Sequence, residues 1–72
     1  MGDETLKNRL KVARAEKDLS QDELARLVGV TRQTISAIET GLYVPSALLA
    51  FRLARMLEKP VEGLFFLDGD EK

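Results

Sequence analysis

Seventy-two residues leave room for one small domain that can bury about 60% of its unfolded surface, and the lack of cysteine and histidine excludes disulfides, thiolate metal sites and the commonest general base. The formal charge of −1 is unevenly spread: residues 5–59 hold ten of the eleven Lys and Arg but six of the twelve Asp and Glu, a basic middle between acidic ends that solubilising tails would also explain. Asp3 and Glu4 make the start unlike a signal peptide, and the apolar runs at 47–51 and 64–67 are too short to cross a bilayer, so a cytoplasmic protein is expected.

No repeat or low-complexity stretch divides the chain, and residues 1–72 are expected to form a single domain with its core at about 5–66 and an acidic tail at 68–72. The first helix is predicted over residues 5–17, with Leu6, Leu10 and Ala13 on one face. Ser20 followed by Glu23 is a capping box, and Leu19 with Leu24 forms a hydrophobic staple across it, so a second helix starts there. Leu24, Ala25 and Val28 make its buried stripe. Gly29 ends it, where the chain needs a positive φ.

Thr31 is predicted to cap a third helix with Ile35 and Ile38 inward, ended by Gly41. Pro45 and Ser46 restart the chain into a fourth helix, Ala47 to about Glu58, burying Leu49, Ala50, Leu53, Ala54 and Leu57. Pro60 opens a last short helix over residues 61–66. The fold class is therefore all-α, a compact five-helix arrangement.

Two short helices joined by a tight glycine turn are a helix-turn-helix, whose use is to set the second helix in a DNA groove. The geometry asks for a small residue at the crossing, a left-handed residue in the turn, an apolar plug after it, and apolar anchors one turn apart. Ala25, Gly29, Val30, Ile35 and Ile38 fill those places in order. On the outward face of the third helix, Arg32 can offer paired donors to guanine and Gln33 can pair with adenine, while Ser36 and Ala37 are short enough to touch a base edge or a thymine methyl; plain solvated surface residues are the alternative.

The strings LSQDELA, GVTRQTISAIETG, YVPS and PVEGLF resemble the phage repressor and Cro type of helix-turn-helix regulator over about residues 5–66. The resemblance implies a five-helix repressor-type DNA-binding domain, a homodimer that binds operator DNA and controls transcription. It implies a phosphate contact by Gln21, with a supporting hydrogen bond from Gln21 to Gln33, and an Arg14–Glu39 ion pair tying the first helix to the end of the third. Thr31 caps first and donates to phosphate second, and Thr34 and Thr40 are further positioning candidates. Tyr43 lies in the loop that runs along the sugar-phosphate chain in that family, where its phenol either donates or packs.

Leu48, Phe51, Phe66 and Leu67 exceed the apolar needs of so small a core, and either mark a homodimer seam or complete that core. The reading that follows is a sequence-specific double-stranded DNA-binding regulator, in sense a repressor, acting as a homodimer on an inverted repeat. An antitoxin-like or adaptor module using its apolar C-terminal patch is the alternative. The pair Asp22–Glu23 fits a helix start, and Asp68, Asp70 and Glu71 lack the spacing of a calcium loop. No enzyme activity, cofactor, metal or small-molecule effector is expected.

Overall fold

The computed structural model describes residues 5–68. Its elements in chain order are β1 (Leu6–Asn8), α1 (Leu10–Glu16), α2 (Gln21–Val28), α3 (Arg32–Glu39), α4 (Ala47–Leu57), α5 (Val61–Leu64) and β2 (Phe65–Leu67). Five helices are present as the sequence predicts. The chain ends of the helical array are joined by a small antiparallel sheet in which Leu6 pairs with Leu67, Lys7 with Phe66 and Asn8 with Phe65.

That sheet corrects the helix predicted over 5–17. Residues 6–8 are extended, and α1 begins only at Leu10. Leu6 lies at a spacing from Leu10 that suits a helix, yet the half-buried, exposed, half-buried order of residues 6–8 suits a strand equally. The decision comes from the far end of the chain, where Phe65, Phe66 and Leu67 are good strand formers and supply the partner. The last helix is likewise shortened to Val61–Leu64. The ladder runs on at both ends: Arg9 N–H donates to the Leu64 carbonyl at 2.8 Å and Asp68 N–H to that of Thr5 at 2.9 Å. The expected tail lies, apart from Asp68, outside the described residues.

Three helices open on side-chain caps. Ser20 accepts from Glu23 N–H at 3.0 Å while the Glu23 carboxylate accepts from Ser20 N–H at 2.8 Å. Thr31 accepts from Thr34 N–H at 3.2 Å, and Ser46 from Leu49 N–H at 3.1 Å. Gly29 and Gly41 end α2 and α3 at φ of +79° and +83°. The ends of α1 and α4 use the same left-handed turn without glycine, at Asp18 and Glu58. Lys17 pairs with Glu58, and Lys59 with Glu16 at 2.9 Å, so the two unusual ends are cross-linked by exposed ion pairs.

The core is a single cluster built from Leu10 and Ala13 of α1, Leu24, Ala25 and Val28 of α2, Ile35 and Ile38 of α3, four residues of α4, and Leu64 with Phe65. Ala50 is half-buried at its edge, as is Leu19. Among the described residues no polar or charged residue is buried outright. Apolar burial at about 25 cal/mol per Å² therefore supplies the stability, and the polar groups decide the orientation of the helices.

Hydrogen bonds from Ser20 hold the Glu23 carboxyl below its ordinary value of 4.5, and the Lys17 ammonium does the same for Glu58. Both groups thus favour folding when ionised. Their contribution is complete above about pH 4.5 and is lost as the pH falls through the lowered values. Glu23→Gln and Glu58→Gln should each flatten the acid limb of a stability-against-pH curve measured by urea unfolding. An unchanged limb in both variants would contradict these assignments.

Candidate nucleic-acid interface

The angle between α2 and α3 is made by residues that admit few alternatives. Ala25, 2% exposed, stands at the crossing and allows the helices to approach. Val30 N–H reaches back to the Ala25 carbonyl at 2.9 Å, closing α2. A Cβ added at Gly29 would meet nothing within 4 Å, so the demand for glycine there is its positive φ and not space. Ile35 and Ile38 then pin the inner side of α3, at 0% and 1% exposure.

The opposite side of α3 is left open. Arg32 and Gln33 are exposed, and Thr34, Ser36 and Ala37 are half-buried along the same ridge. Among the described residues Arg32 and Gln33 make no side-chain hydrogen bond or ion pair, and they border a shallow polar hollow with Asp22, Arg26 and Thr31. Thr31 and Thr34 share a hydroxyl contact of 3.1 Å. The Thr40 hydroxyl donates back to the carbonyls of Ser36 and Ala37, at 3.1 and 3.2 Å. Tyr43 is exposed in the loop after α3, and its N–H is held by the Ala37 carbonyl at 3.2 Å.

The C-terminal end of α3 is held as firmly as its outer ridge is free. Glu39 accepts from Arg14 Nε at 2.7 Å and Nη2 at 3.3 Å, and from Gln21 Nε2 at 3.0 Å. Arg14 also donates through Nη1 to the Leu19 carbonyl at 2.8 Å, so one guanidinium binds the end of α3 and the approach to α2 together. The Gln21 amide therefore serves Glu39 and not Gln33, the partner the family resemblance implies. An ionised carboxylate is the stronger acceptor, and Glu39 lies at the far end of α3 from Gln33.

Asn8 is the residue that sequence reasoning missed. Its Nδ2 donates to the Ile38 carbonyl at 2.9 Å and its Oδ1 accepts from Leu10 N–H at 3.1 Å. Only the motif Asn8-Arg9-Leu10, a helix-start amide before an apolar residue, signalled it, and the helix predicted over 5–17 concealed it.

The four seam candidates are dispersed in exposure. Leu48 and Phe51 are 62% and 64% exposed on α4, so Phe51 does not complete the core. They flank a groove of about 500 Å³ with Arg52, Arg55 and Val61. Leu67 is partly exposed and Phe66 half-buried on β2, where the Arg9 guanidinium lies 5.1 Å from the Phe66 ring centre. Leu27, Leu42 and Val44 are exposed apolar residues the sequence did not single out.

This arrangement defines a helix-turn-helix formed by α2 and α3. The family described as Helix-turn-helix matches residues 10–64, and the chain belongs to it, as a small regulator of the phage repressor and Cro type and not an enzyme. An uncharacterized HTH-type transcriptional regulator of Methanocaldococcus jannaschii is 47% identical over 66 residues, covering 92% of this chain and 100% of the relative. The uncharacterized HTH-type transcriptional regulator YgzD of Bacillus subtilis is 46% identical over 65 residues, 90% of this chain and 98% of its own. Among solved structures, the restriction-modification controller protein of Aeromonas hydrophila superposes with a TM-score of 0.72 at 33% identity, covering 76% of this chain and 83% of that one.

The Glu39 side chain is 4% exposed and that of Arg14 is 14%, so removing either leaves the other shielded from water without its charge partner, held only by Gln21 or by the Leu19 carbonyl. Glu39→Ala is expected to cost about 1.5–3 kcal/mol and to lower the thermal midpoint accordingly. A midpoint equal to the wild type would show that the pair contributes nothing to the fold.

Proposed function

We propose that the chain binds double-stranded DNA sequence-specifically, with α3 in the major groove, and represses transcription in the cytoplasm as a homodimer on an inverted-repeat operator. The observation that carries this reading is the contrast within α3: its inner face and C-terminal end are fixed by the core and by Arg14, Gln21 and Asn8, while Arg32 and Gln33 project without partners among the described residues. Long polar side chains on a rigid helix meet the requirement for reading base edges. In this reading Arg32, Gln33, Ser36 and Ala37 face the bases. Gln21, Thr31, Thr34, Thr40 and Tyr43 stand along the phosphates, near the amide end of α2 and the loop after α3.

A single short helix reads few base pairs, so two copies would present α3 to half-sites about 34–36 Å apart. The exposed Leu48 and Phe51 of α4, with Phe66 and Leu67 of β2, supply apolar surface for that pairing. The basic middle of the chain supports the phosphate term, and no helix among the described residues is long and apolar enough to cross a membrane.

Selection from a random DNA pool should enrich an inverted repeat, bound with an affinity that falls steeply with salt. Arg32→Ala should then relax one base position at a cost of about 1–3 kcal/mol, whereas Tyr43→Phe, in the exposed loop after α3, should weaken all sequences alike. Failure to enrich any sequence would overturn the reading.

A further inference from the structure

Asn8 sits at the joint between β1 and α1 and uses both ends of its amide on different elements. Oδ1 satisfies Leu10 N–H, an otherwise orphan donor in the first turn of α1, while Nδ2 reaches thirty residues along the chain to the Ile38 carbonyl. Arg14 and Gln21 also hold α3, but they do so through the Glu39 side chain and not through the helix backbone. Among the described residues Asn8 is the side chain from outside α3 and its caps that bonds to the α3 backbone itself. Ile38 is 1% exposed, so the backbone there is also locked by the core.

The other side of Asn8 belongs to the sheet. Asn8 pairs with Phe65, and its neighbours Lys7 and Leu6 pair with Phe66 and Leu67, two residues of the proposed seam. The route from the seam to α3 runs through one strand pairing, the backbone from Lys7 to Asn8, and one hydrogen bond.

We propose that Asn8 is a positioning residue for DNA reading: by tying the carbonyl end of α3 to the β1–β2 sheet, it sets the angle between each reading helix and the surface through which two copies pair. This inference rests on the paired DNA-binding reading above. Its leverage is geometric. An eight-residue helix is about 12 Å long, so a tilt of about 5° at its root moves the Arg32 end by about 1 Å. A displacement of that size takes paired hydrogen bonds to a base edge out of their preferred range of about 2.7–3.2 Å unless the side chains rearrange, and so weakens them. In a dimer the error enters twice, as a change in the separation of the two helices.

The test compares the full chain with Asn8→Ala and Asn8→Asp. Aspartate retains the acceptor for Leu10 N–H but turns an oxygen toward the Ile38 carbonyl, so it breaks the link to α3 while keeping α1 capped. Each protein is titrated, well below its unfolding midpoint, with duplexes carrying the selected half-sites at the selected spacing and at one base pair more or fewer. The spacing preference is a ratio within one protein, so the added charge of aspartate cancels. The wild type should prefer the selected spacing by about tenfold or more, and both variants should reduce this to about threefold or less. A preference undiminished in the variants, even with a lowered midpoint, assigns Asn8 a merely structural role and overturns the proposal alone. So does a wild type that selects a sequence but is indifferent to spacing. A wild type that selects no sequence removes the DNA-binding reading and the proposal together.

Discussion

Glu39 places a carboxylate at the C-terminal end of α3, where aligned peptide dipoles already concentrate negative charge and where α3 carries no basic residue of its own in its last turn. Left alone, that arrangement would be unfavourable. Arg14 from α1 and Gln21 from α2 bring three donors to the carboxylate, and Asn8 from β1 brings a fourth to the Ile38 carbonyl beside it. The end of α3 thus becomes the point at which three other elements meet. A partly buried ion pair of this kind adds little net stability over an apolar substitute, because desolvation offsets the attraction. Its consequence is orientation: with one partner missing the other is stranded, so the helices are held to the single arrangement that satisfies all four donors.

The apolar core acts on the same helix from the other side. Ile35 and Ile38 fix its rotation, and Ala25 fixes its distance from α2. With inner face and C-terminal end both committed, the free part of α3 is its amide end and outer ridge. That is the part whose positive dipole end and long polar side chains suit a polyanion with readable edges. The division of labour follows from where the donors and the apolar residues fall along eight residues of chain.

A second surface has a different character. The outer side of α4 presents Leu48 and Phe51 to solvent next to Arg52 and Arg55, while the inner side carries Leu49, Leu53 and Leu57 in the core. A helix apolar on two sides buries only one of them within this chain. β2 adds Phe66, stacked beneath Arg9, and Leu67. Structural neighbours such as the restriction-modification controller protein share the fold that carries these faces, and the use of this chain's own faces is the matter of the proposed dimer.

The sequence by itself determined the helix-turn-helix. The capping residues Ser20, Thr31 and Ser46, the glycines at positions 29 and 41 and the apolar spacing of α2 to α4 are local signals, each acting within about one turn, and a linear reading recovers them. The exposed ridge of Arg32 and Gln33 was legible for the same reason. Tertiary structure alone decided three things. Residues 6–8 became a strand because their partner lies nearly sixty residues away, and no local pattern at Leu6 separates strand from helix. The ends at Asp18 and Glu58 were brought side by side, joined by the Lys17–Glu58 and Lys59–Glu16 pairs, a juxtaposition that no local signal in either segment carries. Asn8 and Gln21 chose acceptors at the end of α3, since a hydrogen-bond donor selects among acceptors by distance in space, a quantity that chain order does not contain.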